Sequence, residues 1–309
     1  MVSEVKAMLF TPIKPMLVSI GGQAFDHDNF IFEPKMDGWR ILLHKQGDRI
    51  EAYTRNGKCV TGKFPELKEI TSAIKPKTAI LDSEGVVIRE GRTIFDDFSF
   101  RGRLTDARKI AAAQVSHPAS FVVFDVLATT QEHMSEPLTV RKQRLQEILD
   151  PHPSLMSTMF VEGEGKALSA LSIKHNLEGI VAKRKDSTYK LGIRSEDWVK
   201  IKNYKEIDTV ILGYRTIPEF SLVVGLNFPT VKNKPVATVH IGMSPEEKTA
   251  FLQIAQQILG KKDRNTQWIE PRICCRIEYL ERTDLHYLRH VSFKEFLFDK
   301  RPEDCIWVS

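Results

Sequence analysis

One lysine of this chain occupies a position that is unusual for its residue type. Lys35 follows the apolar run 30–32 and precedes Asp37-Gly38 and Arg40, so it stands at a strand end or turn inside a predicted sheet. Such a lysine can extend its ammonium group to water while its stem packs on the sheet, or it can serve as a nucleophile. The second role requires a neutral amine, so burial and neighbouring positive charge would have to lower its pKa.

A second pair of lysines lies on one predicted strand near residue 200. Side chains alternate along a strand, so Lys200 and Lys202 point the same way while Val199 and Ile201 face the core. Two ammonium groups on one face suit a phosphate that gains negative charge in a transition state. An exposed strand with solvated lysines is the alternative interpretation.

The composition is that of a soluble globular protein. The chain has 309 residues, of which 42% are hydrophobic and 28% are charged, and no apolar run approaches the length of a membrane span. The formal net charge of +5 fits a polyanionic partner but does not establish one. The four cysteines lack the spacing of a metal site, which indicates thiols in a reducing cytosol. The first residues lack the order of a signal peptide, so we expect a cytoplasmic protein without a membrane partner.

The elements that must position these lysines are predicted to be strands and helices in alternation. Residues 39–44 and 49–53 are typical of a hairpin around the turn 46–48. Further strands are predicted at 78–88, 121–127, 179–182 and 198–202. Helices are predicted at 64–74, 101–109, 140–149 and 166–175.

The character of the sequence changes after Lys205-Glu206. Short strands are predicted at 210–214, 222–228, 236–241 and 273–280. They are interrupted by one helix, with Ser244 as N-cap, Pro245 at the first helical position, Glu247 completing a capping box and Gly260 closing the far end. This pattern predicts a small β-barrel of the oligonucleotide/oligosaccharide-binding type. The predicted domains are therefore residues 1–206 and 207–309.

Several short clusters follow Lys35 in a fixed order and carry a family resemblance. They occupy residues 35–40, 54–57, 81–85, 123–125, 178–183 and 198–202. In this order the sequence resembles the covalent nucleotidyltransferases, and most closely the ATP-dependent DNA ligases of the compact bacterial ligase D type. The resemblance extends from about residue 10 to the C-terminus. It implies an α+β fold, with a nucleotidyltransferase (adenylation) domain of antiparallel sheets and helices followed by the β-barrel domain.

The resemblance also implies a reaction. In this family a lysine attacks the α-phosphorus of ATP and carries AMP covalently, here on Lys35, while Mg²⁺ (or Mn²⁺ in its place) assists. AMP then passes to a 5′-phosphate, and a 3′-hydroxyl displaces it. The implied partner is nicked or broken double-stranded DNA, with Ku or a separate polymerase as further candidate partners. We expect a monomer in the cytoplasm of a bacterium, encoded by the bacterium or by a phage.

Individual roles follow from the same resemblance. Lys35, Asp37, Lys200 and Lys202 are the expected catalytic residues, with Asp37 near the metal or the nick end. Glu178 is expected to hold Mg²⁺, and Glu84 to contact the metal or the ribose. The residues expected to bind the nucleotide are Glu33 at the adenine edge, Arg40 at the ribose, Phe124 stacked on the base, and Lys183, Lys200 and Lys202 at the phosphates. Arg55 is assigned to a phosphate, with a solvated turn arginine as the equal alternative.

The last family motif is incomplete in this sequence. The family has arginine before an Asp-Lys pair, where it orients the pyrophosphate leaving group. Asp299 and Lys300 match, but Leu297 and Glu295 stand where arginines are expected. Either Lys300, Arg301 or Arg289 makes this contact, or adenylylation is slow; of these we assign Lys300 to the nucleotide.

Other functions share parts of this pattern. An RNA ligase or a GTP-using capping enzyme uses the same lysine chemistry, and a non-catalytic nucleic-acid binder could keep the fold after losing the last motif. A Schiff-base lysine enzyme is a further alternative, but it gives no reason for the clusters after Lys35. Retention of label from ATP or from GTP on the denatured protein separates these classes.

The incomplete motif generates a first prediction. Leu297→Arg should speed adenylylation of the protein if the missing arginine limits that step, because a second cation would then face the leaving pyrophosphate. The measurement is the single-turnover rate of AMP transfer to the protein, with Leu297→Met as the uncharged control. An unchanged rate in the arginine variant would mean that another residue already makes the contact.

Overall fold

The chain divides into two compact units. The computed structural model describes residues 2–283 and 285–307. One unit is Met1–Asn203 and the other is Tyr204–Ser309. This division lies three residues before the predicted boundary at 206, so the exact domain limits stay a prediction.

Two sheets and six helices make up the described part of the first unit. Its strands are β1 Leu17–Ile20, β2 His27–Pro34, β3 Trp39–Gln46, β4 Arg49–Thr54, β5 Thr78–Arg89, β6 Arg92–Thr93, β7 Ala119–Ala128, β8 Leu155–Ser157, β9 Val161–Gly163, β10 Gly179–Arg184 and β11 Arg194–Lys202. Its helices are α1 Val2–Met8, α2 Glu66–Ile70, α3 Phe95–Arg103, α4 Ala107–Ser116, α5 Leu138–Ile148 and α6 Gly165–Lys174, with a 3-10 turn at Thr61–Lys63.

The order of strands places the predicted site residues on two different sheets. The first sheet runs β1-β11-β10-β2-β9 and the second runs β4-β3-β5-β7-β8, with β6 paired to β5. Most neighbours are antiparallel, but β1 with β11 and β7 with β8 are parallel, so the sheets are mixed rather than purely antiparallel. The chain crosses from the first sheet to the second between β2 and β3, at Lys35.

Apolar burial explains why β5 and β7 lie at the centre of the second sheet. Both strands are apolar on both faces over much of their length, which is typical of strands covered on two sides. One side packs in a cluster with residues of α2, α3 and α5, including Leu67, Phe98 and Leu145. The other side belongs to a cluster that also contains Ile31 of β2 and Trp198 of β11, so it joins the two sheets.

The second unit is built mainly of short strands. They are β12 Lys205–Arg215, β13 Ser221–Leu226, β14 Lys234–Val239, β15 Leu259–Lys262, β16 Gln267–Ile269, β17 Cys274–Tyr279, β18 Glu281–Arg282, β19 Leu288–Arg289 and β20 Ser292–Leu297. The helix α7 Pro245–Ala255 leads into the 3-10 turn Gln256–Ile258, and a last 3-10 turn covers Pro302–Asp304. The larger sheet runs β14-β13-β12-β16-β15, with β17 between β12 and β20.

Two local predictions differ from the structure, and several strands were not predicted. The expected continuous helix at 101–109 is two helices, because Leu104 is extended and Asp106 caps α4 by accepting from the Lys109 N–H at 2.9 Å. The capping box at Ser244 is present, but Gly260 lies in β15, because α7 ends at Ala255 and tightens into a 3-10 turn. Within the residues described, strand pairing does not close the second unit into a barrel. The short strands β1, β8 and β9 were not predicted, since each has too few residues for a clear alternation.

No helix in the described parts of the chain combines the length and the apolarity needed to cross a bilayer.

Candidate active site

An open cavity lies among residues of the two sheets in the first unit. Its volume is about 100 Å³, and it opens to solvent. Apolar walls are provided by Val18, Val122, Val181 and Trp198, among others. Of the predicted site residues, Glu33, Lys35, Arg40, Glu84, Phe124 and Lys183 line it.

Two glycines allow the chain to bring Lys35 to this cavity. The Lys35 N–H donates to the carbonyl of Gly179 at 2.9 Å, which joins the end of β2 to the start of β10. Gly179 has a φ of +148°, and a Cβ there would lie 2.1 Å from the Ile201 carbonyl oxygen. A Cβ on Gly38 would lie 2.1 Å from the Gly85 carbonyl oxygen. Both positions therefore require glycine, one for conformation and both for close packing.

The ammonium group of Lys35 is bound to a carboxylate in this structure. Its Nζ lies 2.5 Å from Oε2 of Glu178, and its side chain is 22% exposed. Burial by itself would lower the pKa of Lys35, but attraction to Glu178, Glu84 and Asp37 outweighs burial, so the pKa lies above the ordinary lysine value. The lowered pKa that attack requires is therefore not a property of the ligand-free protein, and the lowering stays a prediction for the protein with bound metal and substrate. The physical reason is the carboxylate contact, which the sequence did not reveal.

Glu178 links the candidate nucleophile to a second lysine. Its Oε1 accepts from Lys202 Nζ at 3.0 Å while its Oε2 contacts Lys35. Burial would raise the pKa of this carboxyl, but the two lysines outweigh it and hold the pKa below the ordinary range. The pKa of the neighbouring Lys200 is lowered by burial and by repulsion from Lys202 and Lys35. The predicted pairing of Lys200 and Lys202 on one strand face thus brings both ammonium groups close to Lys35.

Glu84 lines the cavity and lies near both Lys35 and Glu178. Burial raises its pKa to about 7, with Lys35 and Arg40 opposing the rise and Glu178 and Asp82 adding to it. A carboxyl with such a pKa gains its charge fully when a cation arrives beside it. Magnesium is commonly held by one or two carboxylates together with substrate phosphates and water, so the pair Glu84 and Glu178 fits that ion as it would arrive with a nucleotide. The described residues contain no group of three or more His, Cys, Asp or Glu side chains that could hold a metal ion by itself.

Aromatic rings and buried charges form another part of the cavity wall. Phe124 stands edge-on to Trp198, with ring centroids 6.3 Å apart. Lys183 Nζ lies 4.4 Å from the Phe124 centroid and 4.1 Å from the Trp198 centroid, and it contacts Oε2 of Glu33 at 2.8 Å. Burial lowers the pKa of Lys183 to about 8, although Glu33 opposes the fall. Phe124 packs against the apolar core and also lines the cavity, which is compatible with its predicted stacking on a base.

Arg40 is held by partners that sequence reasoning missed. Its Nε and one terminal nitrogen donate to the two carboxylate oxygens of Asp82 at 2.6 Å each. The same terminal nitrogen donates to the carbonyl of Met16 at 3.1 Å, and the Tyr189 hydroxyl donates to Asp82. The sequence contained a clue to the role of Asp82, because this residue precedes the predicted site residue Glu84 by two positions and so lies on the same face of β5. The sequence contained no such clue for Tyr189, which lies 107 residues from Asp82 in the chain.

Three predicted residues are less clearly connected to the cavity. Asp37 donates its N–H to Thr93 Oγ1 at 3.0 Å, and its charge contributes to the raised pKa of Lys35. Arg55 lies in an exposed turn and is not among the residues lining the cavity, so its phosphate contact stays a prediction. Lys300 belongs to the second unit, where its Nζ contacts Asp208 at 3.1 Å.

The incomplete last motif is engaged in ion pairs within the second unit. Glu295 contacts Arg276 at 2.9 Å, Arg289 contacts Glu281 at 3.4 Å and Arg301 contacts Asp304 at 3.0 Å. Leu297 packs against the apolar core of this unit. The three cations considered as replacements for the missing arginine therefore each have an acidic partner here, and the choice among them stays open.

Comparison with known proteins gives a consistent set of similarities. Residues 12–202 match the family model described as the ATP dependent DNA ligase domain. The SPbeta prophage-derived DNA ligase-like protein LigB of Bacillus subtilis strain 168 is 30% identical over 285 residues, which cover 92% of this chain and 98% of that protein. The bifunctional non-homologous end joining protein LigD of the same strain is 30% identical over 302 residues, covering 90% of this chain but 48% of that protein.

A solved structure shares the fold over nearly the whole chain. The mycobacterial DNA ligase D complexed with ATP and MES is 25% identical, with a TM-score of 0.56, and the match covers 95% of this chain and 98% of that one. The chain thus spans the full length of some similar proteins and about half the length of the end-joining LigD of Bacillus subtilis.

The contact between Lys35 and Glu178 generates a second prediction. In Glu178→Gln the pKa of Lys35 should fall, because burial and the nearby Lys200 and Lys202 remain while the strongest attraction is removed. If the pKa of Lys35 falls by one unit, the neutral fraction of the amine at pH 8 rises about tenfold, because pH 8 lies below the pKa in both proteins. Acetic anhydride labelling of Lys35, followed by mass spectrometry, measures this change without any nucleotide.

The exposed Lys68 in the same samples is the internal control, because its labelling should not change. Equal labelling of Lys35 in the two proteins would contradict the assigned effect of the carboxylate.

Proposed function

This chain belongs to the ATP-dependent DNA ligases, and from that membership we propose that it joins 3′-hydroxyl and 5′-phosphate ends of DNA through AMP carried on Lys35. The resemblance in motif order is confirmed by the family match. The observation that carries the proposal is the convergence in one cavity of a lysine amine, two carboxylates and an aromatic ring. These are the groups that nucleotidyl transfer to a lysine requires.

The base of ATP would occupy the part of the cavity beside Phe124. Stacking of a base on an aromatic ring contributes about 1–3 kcal/mol in nucleic-acid complexes. The Glu33 carboxylate can only accept hydrogen bonds when ionised, so it suits the amino group of adenine and not the oxo group of guanine. Arg40, fixed by Asp82, would contact the ribose, and Lys183 would add positive charge.

Lys35 would attack the α-phosphorus of ATP. The amine nitrogen forms a bond to phosphorus, the bond to the pyrophosphate oxygen breaks, and the ammonium proton must leave before attack. The contact with Glu178 holds that proton, so it has to be released when substrate binds. Lys200 and Lys202 would stabilise the charge that develops on the α-phosphate. Glu84 and Glu178 would hold Mg²⁺, or Mn²⁺ in its place, which neutralises phosphate charge when bound.

The later steps use DNA as the substrate. AMP passes from Lys35 to the 5′-phosphate at a break, and the 3′-hydroxyl then displaces AMP to form the phosphodiester bond. Arg55, in its exposed turn, would contact a DNA phosphate, and Asp37 would act near the metal or the nick end. Lys300 would orient pyrophosphate only in the first step, so its loss should slow adenylylation more than sealing.

The cellular setting is part of the proposal. The similar proteins LigD and LigB are described by their names as an end-joining protein and a prophage-derived ligase-like protein. We infer nicked or broken double-stranded DNA as the substrate, a monomer acting in the bacterial cytoplasm, and Ku or a separate polymerase as candidate partners. Sealing assays on nicked, cohesive and blunt DNA, with and without Ku, distinguish these substrates.

The assigned nucleophile generates a third prediction. Lys35→Ala should abolish AMP transfer to the protein and sealing of an ordinary nick, because the amine proposed to attack ATP is removed. The same variant should still seal a nick that already carries AMP on its 5′-phosphate, because Lys35 has completed its role by then. Mass spectrometry of the protein after incubation with ATP and Mg²⁺ gives the adduct, and denaturing electrophoresis of DNA gives sealing.

The matched control is Lys68→Ala, which removes an exposed lysine of the same unit and should leave both reactions unchanged. Equal loss of both reactions in Lys35→Ala would contradict the role given to the amine. Label retained from GTP and not from ATP would instead favour a capping-type enzyme.

A further inference from the structure

A buried lysine outside every sequence cluster contacts the cavity residue Glu33. Lys142 lies on α5, and its side chain is 4% exposed. Its Nζ contacts Oε1 of Glu33, while Lys183 contacts Oε2 of the same carboxylate at 2.8 Å. Glu33 and Lys183 line the cavity, but Lys142 is not among the lining residues. Lys142 therefore reaches the cavity only through Glu33.

Arg141, the residue before Lys142 on α5, is bound to the second sheet. Arg141 donates from Nε and one terminal nitrogen to the two carboxylate oxygens of Asp125, at 2.8 and 2.9 Å. Asp125 follows Phe124 on β7, whereas Glu33 lies on β2 of the first sheet. Two adjacent cations of one helix thus anchor one carboxylate on each sheet. The helix sets how the acceptor Glu33 is placed relative to the Phe124 ring.

The charges of this cluster determine what Glu33 can recognise. A buried carboxylate stays ionised when cations and hydrogen bonds compensate it. Lys142 contacts one oxygen of Glu33 and Lys183 the other, so two cations set the direction of this carboxylate. Without Lys142 the carboxylate would face Lys183 alone, its Oε1 would lose its cation, and its direction toward the cavity would no longer be fixed.

We propose that Lys142 is a positioning residue for nucleotide selection: through Glu33 it orients the acceptor that distinguishes adenine from guanine. This inference rests on the proposed function, because it assumes that a nucleotide base binds beside Phe124. Lys142 makes no contact with the reacting atoms in this account. Its effect falls on nucleotide affinity and on the preference for ATP over GTP, and not on the chemical step at Lys35.

The test compares the whole chain with Lys142→Met, which keeps a long unbranched side chain but removes the charge. AMP and GMP transfer to Lys35 are measured over a range of ATP and GTP concentrations. We expect the KM for ATP to rise about tenfold with kcat changed less than about threefold, because a ground-state contact is lost and the reacting groups are intact. The ratio of ATP to GTP efficiency should fall about tenfold. Lys142→Arg, which keeps a cation, should recover most of both.

The matched control is Lys45→Met, which removes another buried lysine of the same unit. Lys45 donates to the carbonyls of Ile74 and Pro76 and is not among the cavity-lining residues, so this change should leave the ATP to GTP ratio at the wild-type value. An equal fall of the ratio in Lys45→Met and Lys142→Met would overturn the proposal. An unchanged KM and ratio in Lys142→Met would overturn it as well.

A double-mutant cycle keeps the proposal testable if the single variant folds poorly, because removing one partner of a buried charge network destabilises a fold. If Lys142 acts only through Glu33, adding Lys142→Met to Glu33→Gln causes no further loss of preference. If the two substitutions lower the preference for ATP additively, Lys142 does not act through Glu33. Equilibrium dialysis with labelled ATP and GTP measures the same preference as a difference in binding, without any AMP transfer. It therefore tests Lys142 even if the wild-type protein takes up no AMP. That outcome would refute the proposed function and not the role of Lys142.

Discussion

Charge compensation inside the cavity is the constraint on which the rest of this structure depends. A buried ammonium or carboxylate is costly unless it is paired, and the cavity concentrates both kinds. The protein resolves this by alternating charges: Lys35 and Lys202 share Glu178, and Lys142 and Lys183 share Glu33. Each carboxylate therefore bridges two lysines.

The same pairing keeps the proton on Lys35, the proposed nucleophile, in the ligand-free protein. Glu178 holds the proton on Lys35, and Glu84 stands nearby with a pKa of about 7, raised by burial. Binding of a polyanion with its cation would change which charges compensate each other. Under the proposed function, activation of the amine would then be coupled to occupation of the cavity.

The fold serves this arrangement by dividing the site between two sheets. The first sheet carries Glu33, Lys183, Lys200 and Lys202, and the second carries Arg40, Glu84 and Phe124. Lys35 lies where the chain passes from one sheet to the other. The relative position of the two sheets depends on the parts of the fold that contact both of them. These are the shared apolar cluster containing Trp198 and the helix α5 with its adjacent Arg141 and Lys142.

Local sequence determined the strands β3, β5, β7, β10 and β11, the capping box of α7 and the family, and it singled out Lys35 as the candidate nucleophile, because these depend on alternation, caps and short motifs. Only the tertiary structure decided the raised pKa of Lys35, the clamp of Asp82 and Tyr189 on Arg40, and the contact of Lys142 with Glu33. Lys35 and Glu178 are 143 residues apart in the chain. Such contacts leave no periodic trace in a sequence, since they arise when elements far apart in the chain are brought together and buried charges must find partners.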